Sequence, residues 1–247
     1  MTHLLRRLLA LSPRAWLALT LLAGAAGGLQ LAAQAPAASS VPALTLAQVL
    51  HALDAAAPVI HSLTAHADVA DFTALVNDTS RSSGVFNFKR TASGPMYALD
   101  LTVPADARRR LVYRDQTAWV YTPSAHQVVK YSFAKQQSLV DQYLLLGIGG
   151  TGADLERSFR VTLDGPATLN GVATVKLTLT PRQPSSQITH IDLWYDTTLW
   201  VAVQQQIWQP GGDYHLVHYT QVQRNPRLGD DPFSTHFDNA TVVEPQG

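Results

Sequence analysis

Between residues 44 and 58 the apolar positions recur at helical spacing. Leu46, Val49, Leu50 and Leu53 fall at i, i+3, i+4 and i+7. Thr45, followed three residues later by Gln48, is a capping-box pair, and the helix is predicted to end near Pro58. From Ser62 the period changes to two, with Leu63, Ala65, Ala67 and Val69 alternating with polar residues. The same alternation predicts strands over Ser82–Arg90, Met96–Val103, Arg110–Arg114, Ala118–Thr122 and Gln127–Phe133. Trp119 to Val129 reads as a strand, a turn and a strand, and Arg114–Thr117 and Thr122–Ala125 are the predicted turns.

The strand period fails after Ser132. Lys135–Leu146 carries Leu139, Tyr143 and Leu146 at helical spacing, and glycines at 147, 149, 150 and 152 then punctuate the chain. A helical turn is predicted over Ala153–Arg157. Strands resume over Phe159–Leu163, Val172–Thr180, Ile188–Tyr195, Leu199–Trp208 and Asp213–Val222, with a late pair around Phe237 and Val242–Val243. Asn170-Gly171 and Gly211-Gly212 suit tight reversals. About eleven short, consecutive strands against two or three helices leave one sheet face to be covered. The predicted fold is mostly β: a strongly curved, incomplete antiparallel β-barrel with helices forming a lid over its concave face. An interior not filled by side chains becomes a ligand cavity.

The ends and the composition narrow the setting. Arg6, Arg7 and Arg14 precede an apolar run from Trp16 to Ala26, and Ala33-Gln34-Ala35 has the shape of a cleavage site. Residues 1–35 are therefore read as a secretory signal, 36–43 as a flexible leader and 44–247 as one domain. The signal holds three arginines and no acid, so its removal takes the formal charge from 0 to −3. The basic run is Arg108-Arg109-Arg110, too small a positive surface for nucleic acid. There is no cysteine, which excludes disulfides, thiol catalysis, thiolate metal sites and a lipidated cysteine. The mature chain is expected in the periplasm, and as a monomer.

No catalytic constellation accompanies this pattern. The nine histidines form no metal motif, and His215 and His218 point to opposite faces of one strand. His190 and Asp192 share a strand face without a third group to complete a site. Asp230-Asp231 reads as a solvated turn, and no phosphate loop, dinucleotide loop or nucleophile elbow occurs. No catalytic residue, metal ligand or cofactor is assigned.

Gly84-Val85-Phe86-Asn87-Phe88-Lys89-Arg90 resembles a G-x-φ-x-φ-K-R-P strand, where φ is apolar, and Trp119-Val120-Tyr121-Thr122-Pro123 resembles a W-x-Y-x-P strand and turn. Tyr219 to Phe237, with Asn225-Pro226, resembles a C-terminal region of the same family. These segments, in this order over roughly residues 44–245, resemble LolA, the periplasmic carriers of outer-membrane lipoproteins. The proline that follows Lys-Arg in that family is replaced by Thr91-Ala92-Ser93-Gly94-Pro95. The resemblance implies binding of lipoprotein acyl chains, collection from an inner-membrane release transporter and delivery to an outer-membrane acceptor. It also implies that Arg90 links sheet and lid, holding lid carbonyls with its five donors. Phe86, Phe88, Trp119, Tyr121, Leu139, Tyr143 and Leu146 are the expected apolar lining, with Arg90 beside it. Two other readings suit the same fold: a non-enzymatic lipid or glycolipid carrier, and an envelope-stress sensor or structural binding protein.

Overall fold

The computed structural model describes residues 44–132, 146–183 and 187–244. The predicted signal and leader, and Leu139 and Tyr143 of the predicted helix over 135–146, lie outside the described residues. Helix α1 (Leu46–Ala56) starts as its sequence requires. Thr45 Oγ1 accepts the Gln48 N–H at 3.3 Å, and Gln48 Oε1 accepts the Thr45 N–H at 2.8 Å. A 3₁₀ turn with Pro58 ends it at Val59. Thr151 and Asp154 cap α2 (Gly152–Ser158) in the same way. A Cβ on Gly152 would lie 2.8 Å from the Leu50 carbonyl oxygen, so the helices approach closely only with glycine there.

Among the described residues, twelve strands form one sheet: β1 (Ser62–Thr73), β2 (Asp78–Thr91), β3 (Gly94–Val103), β4 (Arg109–Arg114), β5 (Thr117–Thr122), β6 (Gln127–Ser132), β7 (Phe159–Leu169), β8 (Val172–Pro181), β9 (His190–Asp196), β10 (Ala202–Trp208), β11 (Tyr214–Arg224) and β12 (Thr241–Val243). β1 to β6 neighbour one another in order, as do β7 to β11, and the two meanders join where β1 pairs with β11. β12 runs parallel to β6; the other pairs are antiparallel. The sheet is curved and unclosed, with β12 and β7 at its edges, and the helices cover its concave face.

Some boundaries differ from the periodic reading for local reasons. β7 runs through Asp164-Gly165-Pro166 because Gly165, at φ +116°, takes a register shift and Pro166 sits on an edge strand that needs no donor. β10 begins at Ala202, not Leu199, because Asp196 Oδ1 accepts the Thr198 and Leu199 N–H groups at 2.6 and 2.9 Å and turns the chain. Of the late strand pair only Thr241–Val243 forms; Phe237 lies outside any strand.

Apolar packing covers both sheet faces. On the concave face, α1 and α2 bring Val49, Leu50, Leu53 and Leu155 onto Val175, Leu177, Leu179, Ile191 and Leu193. Beside them Ile60, Leu63, Ala65, Ala67, Phe86, Phe88, Tyr97, Tyr113 and Ile148 form a second cluster. On the outer face the chain after β11 folds back, seating Phe233 against Met96, Ala98 and Val112. Arg110 Nη2 holds that return by donating to the carbonyls of Asp231 and Pro232, both at 3.0 Å.

Candidate functional site

Strand register builds the concave lining. Leu63, Phe88, Tyr97, Tyr113 and Ala118 stand opposite one another across β1 to β5, and Ala65, Phe86, Leu99, Leu111 and Val120 form the next row. The Phe88 and Phe86 rings lie 5.2 and 6.3 Å from Tyr97, and Phe86 lies 5.2 Å from Tyr219. Phe88 is fully buried, whereas Leu99, Leu101 and Tyr219 are only half-buried. The lining thus passes from a packed core under α1 to apolar side chains open to solvent. Although the Tyr219 side chain as a whole is half-buried, desolvation of its hydroxyl pushes that group's pKa above its ordinary value.

Arg90 ends the Phe86–Phe88 strand face and reaches the helical side. Its Nη2 donates to the Gly149 carbonyl at 2.9 Å and the Ala57 carbonyl at 3.4 Å, and its Nε donates to the Ile60 carbonyl at 3.4 Å. The guanidinium also lies 5.7 Å from the Phe88 ring centroid. A Cβ on Gly149 would come 2.8 Å from Arg90 Nη2, so glycine allows the loop to approach this closely. One cation therefore ties the sheet to the end of α1 and to the loop before α2. Asn225 supplies a second tie: its Oδ1 accepts the His61 N–H at 2.8 Å, and its Nδ2 donates to the Val59 carbonyl at 2.8 Å.

The structure separates the expected lining residues. Phe86, Phe88 and Arg90 share the concave face, and Leu146 is buried there with α1 and α2. Trp119 and Tyr121 are on the outer face. Trp119 opposes Val112 and packs beside Phe233, while the Tyr121 ring meets that of Phe237 in a tilted contact at 5.0 Å. They share one parity, but register sets that parity opposite to Phe86 and Phe88. The sequence reading missed Tyr97, Leu99 and Leu101, which take the concave positions instead. Their alternation within β3 was the available signal. Ile148, Gly149 and Asn225 gave no periodic signal; Asn225 sits in a turn at φ +59°.

Charged groups gather elsewhere. Asp192 accepts from Thr178 at 2.6 Å and from Trp208 Nε1 at 3.3 Å, and pairs with Lys176 at 3.2 Å. Its oxygens are committed to this outer-face network. Asp71 meets His215 at 2.6 Å. That hydrogen bond holds the Asp71 carboxyl below its ordinary 3.8 against partial burial, aided by the charges of His215 and Arg109. A lowered folded pKa gives stability that is complete above the ordinary value and lost as pH falls through the lowered one. Urea titrations of the wild type and Asp71→Asn should therefore differ at neutral pH and converge in acid. A constant gap down to about pH 2 would refute the linkage.

No family model matches the chain, and no curated protein matches it. Solved structures do. An uncharacterised conserved protein from Thermus thermophilus is 11% identical, with 81% of this chain and 100% of that one covered, at a TM-score of 0.51. MucB is 15% identical at a TM-score of 0.50; the match covers 77% of this chain and spans 62% of the MucB chain. A LolA superfamily protein from Nitrosomonas europaea is 13% identical, covering 78% of this chain and 98% of that one, at a TM-score of 0.37. At these identities the likeness to the Thermus thermophilus protein and to MucB is one of fold: an open, curved sheet with helices over its concave face.

Proposed function

We propose that this protein is a periplasmic carrier that binds the acyl moiety of lipoproteins on its concave face and passes them toward the outer membrane. An inner-membrane release transporter and an outer-membrane acceptor are its partners, and no covalent chemistry is involved. The observation that carries this reading is the concave lining itself. Beside the buried Phe86 and Tyr97, the half-buried Leu99, Leu101 and Tyr219 extend the apolar lining toward solvent, and Arg90 ties this face to the end of α1 and the Gly149 loop. Such a surface holds an acyl chain by area, each buried methylene contributing about 0.8 kcal/mol. Mass spectrometry of material co-purified from native periplasm tests the cargo. Triacylated lipoproteins support the proposal, and free phospholipid or glycolipid alone replaces it with a general lipid carrier. Empty protein with a stoichiometric regulatory partner, inactive in lipoprotein release from inner-membrane vesicles, makes it a sensor.

Arg90 gives the carrier a means of release. Its bonds to the Gly149, Ala57 and Ile60 carbonyls belong to the closed arrangement. Cargo that lifts the cover forfeits them, and regaining them favours expulsion. Arg90→Leu is expected to stay folded and to hold cargo about tenfold longer, equivalent to about 1.4 kcal/mol of lost closing energy. Transfer to acceptor vesicles measures this, and an unchanged rate removes the latch.

A further inference from the structure

A groove of about 650 Å³ lies at the far end of the β7–β8 hairpin, beside the residue that precedes the α1 cap. Its walls are Leu44, Leu163, Pro166, Ala167, Ala173 and Val175, completed by Gly165 and three threonines, and none of these carries a charge. Two of the threonines have committed hydroxyls. Thr174 Oγ1 donates to the Ala167 carbonyl at 3.0 Å, and Thr197 Oγ1 donates to the Ala173 carbonyl at 3.2 Å. The groove therefore offers a ligand area and few hydrogen bonds, and its volume is in the range of small-molecule sites.

Its floor abuts the core: Val175, which lines the groove, belongs to the cluster containing Val49, Leu50 and Leu53 of α1, and Leu163 packs against that cluster. Leu44, at 38% exposed, stands at the groove in front of the helix. β7 is also a sheet edge, so an added strand is the competing occupant. Two features oppose it. Gly165 carries a register shift, and Pro166 has no N–H to donate.

We infer that this groove is a second acyl subsite, receiving one aliphatic chain of the cargo past the start of α1 while the remainder lies on the concave face. The inference rests on the acyl-binding reading above. The cysteine-free chain permits clean labelling. Two versions of the full chain, Ala173→Cys in the groove and Leu101→Cys on the concave face, would each carry an environment-sensitive fluorophore. Each is titrated with palmitate below its micellar concentration. A saturable blue shift at both labels is expected. Ala167→Trp, checked by circular dichroism for an unchanged fold, is expected to weaken palmitate about tenfold as read at the concave label. A response at the concave label alone, with Ala167→Trp without effect, overturns the groove and leaves the carrier reading standing. Silence at both labels overturns both. A groove label that responds to an extended apolar peptide and not to palmitate makes this edge a strand-docking site and overturns the acyl subsite.

Discussion

Phe233→Ala is expected to lower the unfolding free energy by about 3–5 kcal/mol, the usual cost of truncating a fully buried phenylalanine. Phe233 is 0% exposed although it lies outside every strand. It fills a site walled by Met96, Ala98 and Val112, with Trp119, Leu228 and Phe237 around it. Loss of the ring also loosens the segment that receives Arg110 at the Asp231 and Pro232 carbonyls and Lys89 at Asp230. Urea unfolding measures the effect. Because this packing is on the outer face, Phe233→Ala should retain ligand binding at temperatures where it remains folded. A stability change below about 1 kcal/mol would show that the returning segment contributes little to holding the sheet.

Gly84→Ala should be the most damaging single-methyl change, at about 3 kcal/mol or more. A Cβ there would come 1.8 Å from the Asp100 carbonyl oxygen and 2.8 Å from the Leu101 Cα. Both are backbone atoms, so no rotamer change relieves the clash. The crowding coincides with the register shift between Ser83 and Gly84 in the β2–β3 pair. Gly229→Ala is the control, because a Cβ there meets nothing within 4 Å, and a change within about 0.5 kcal/mol is expected. Equal thermal shifts for the two variants would remove the steric account.

Gly84 also shows what the chain order conceals. As a letter it belongs to the segment that resembles a family strand; its necessity comes from Asp100, on the neighbouring strand. The same limit separates Phe86 and Phe88 from Trp119 and Tyr121. Alternation shows which residues of one strand share a face. Only register shows which faces of different strands coincide, and the ladder Phe86–Leu99–Leu111–Val120 leaves Trp119 and Tyr121 on the other face. Local signals performed better. The Thr45–Gln48 cap, the Asn170-Gly171 reversal with both residues at positive φ, and the period-two runs from Leu63 onward all correspond to observed elements. The curved, helix-covered sheet followed from the excess of strands over covering helices. The outer-face return of Phe233 was not legible, because one phenylalanine in a polar stretch has no period.

The joint between the two meanders also governs how the chain assembles. Hairpin contacts within β1–β6 and within β7–β11 link neighbours in sequence, and such contacts form rapidly. Pairing β1 with β11 is different in kind: the His61–Asn225 bond beside it joins residues 164 positions apart. Loop-closure entropy is then met before those contacts repay it, placing the β1–β11 seam late on the folding pathway. Until it closes, both half-sheets expose the apolar faces that later line the concavity, and each has an unpaired strand edge. The nascent protein is thus most prone to self-association before its final strands have emerged, and any chaperone that attends it has the most to shield at that stage.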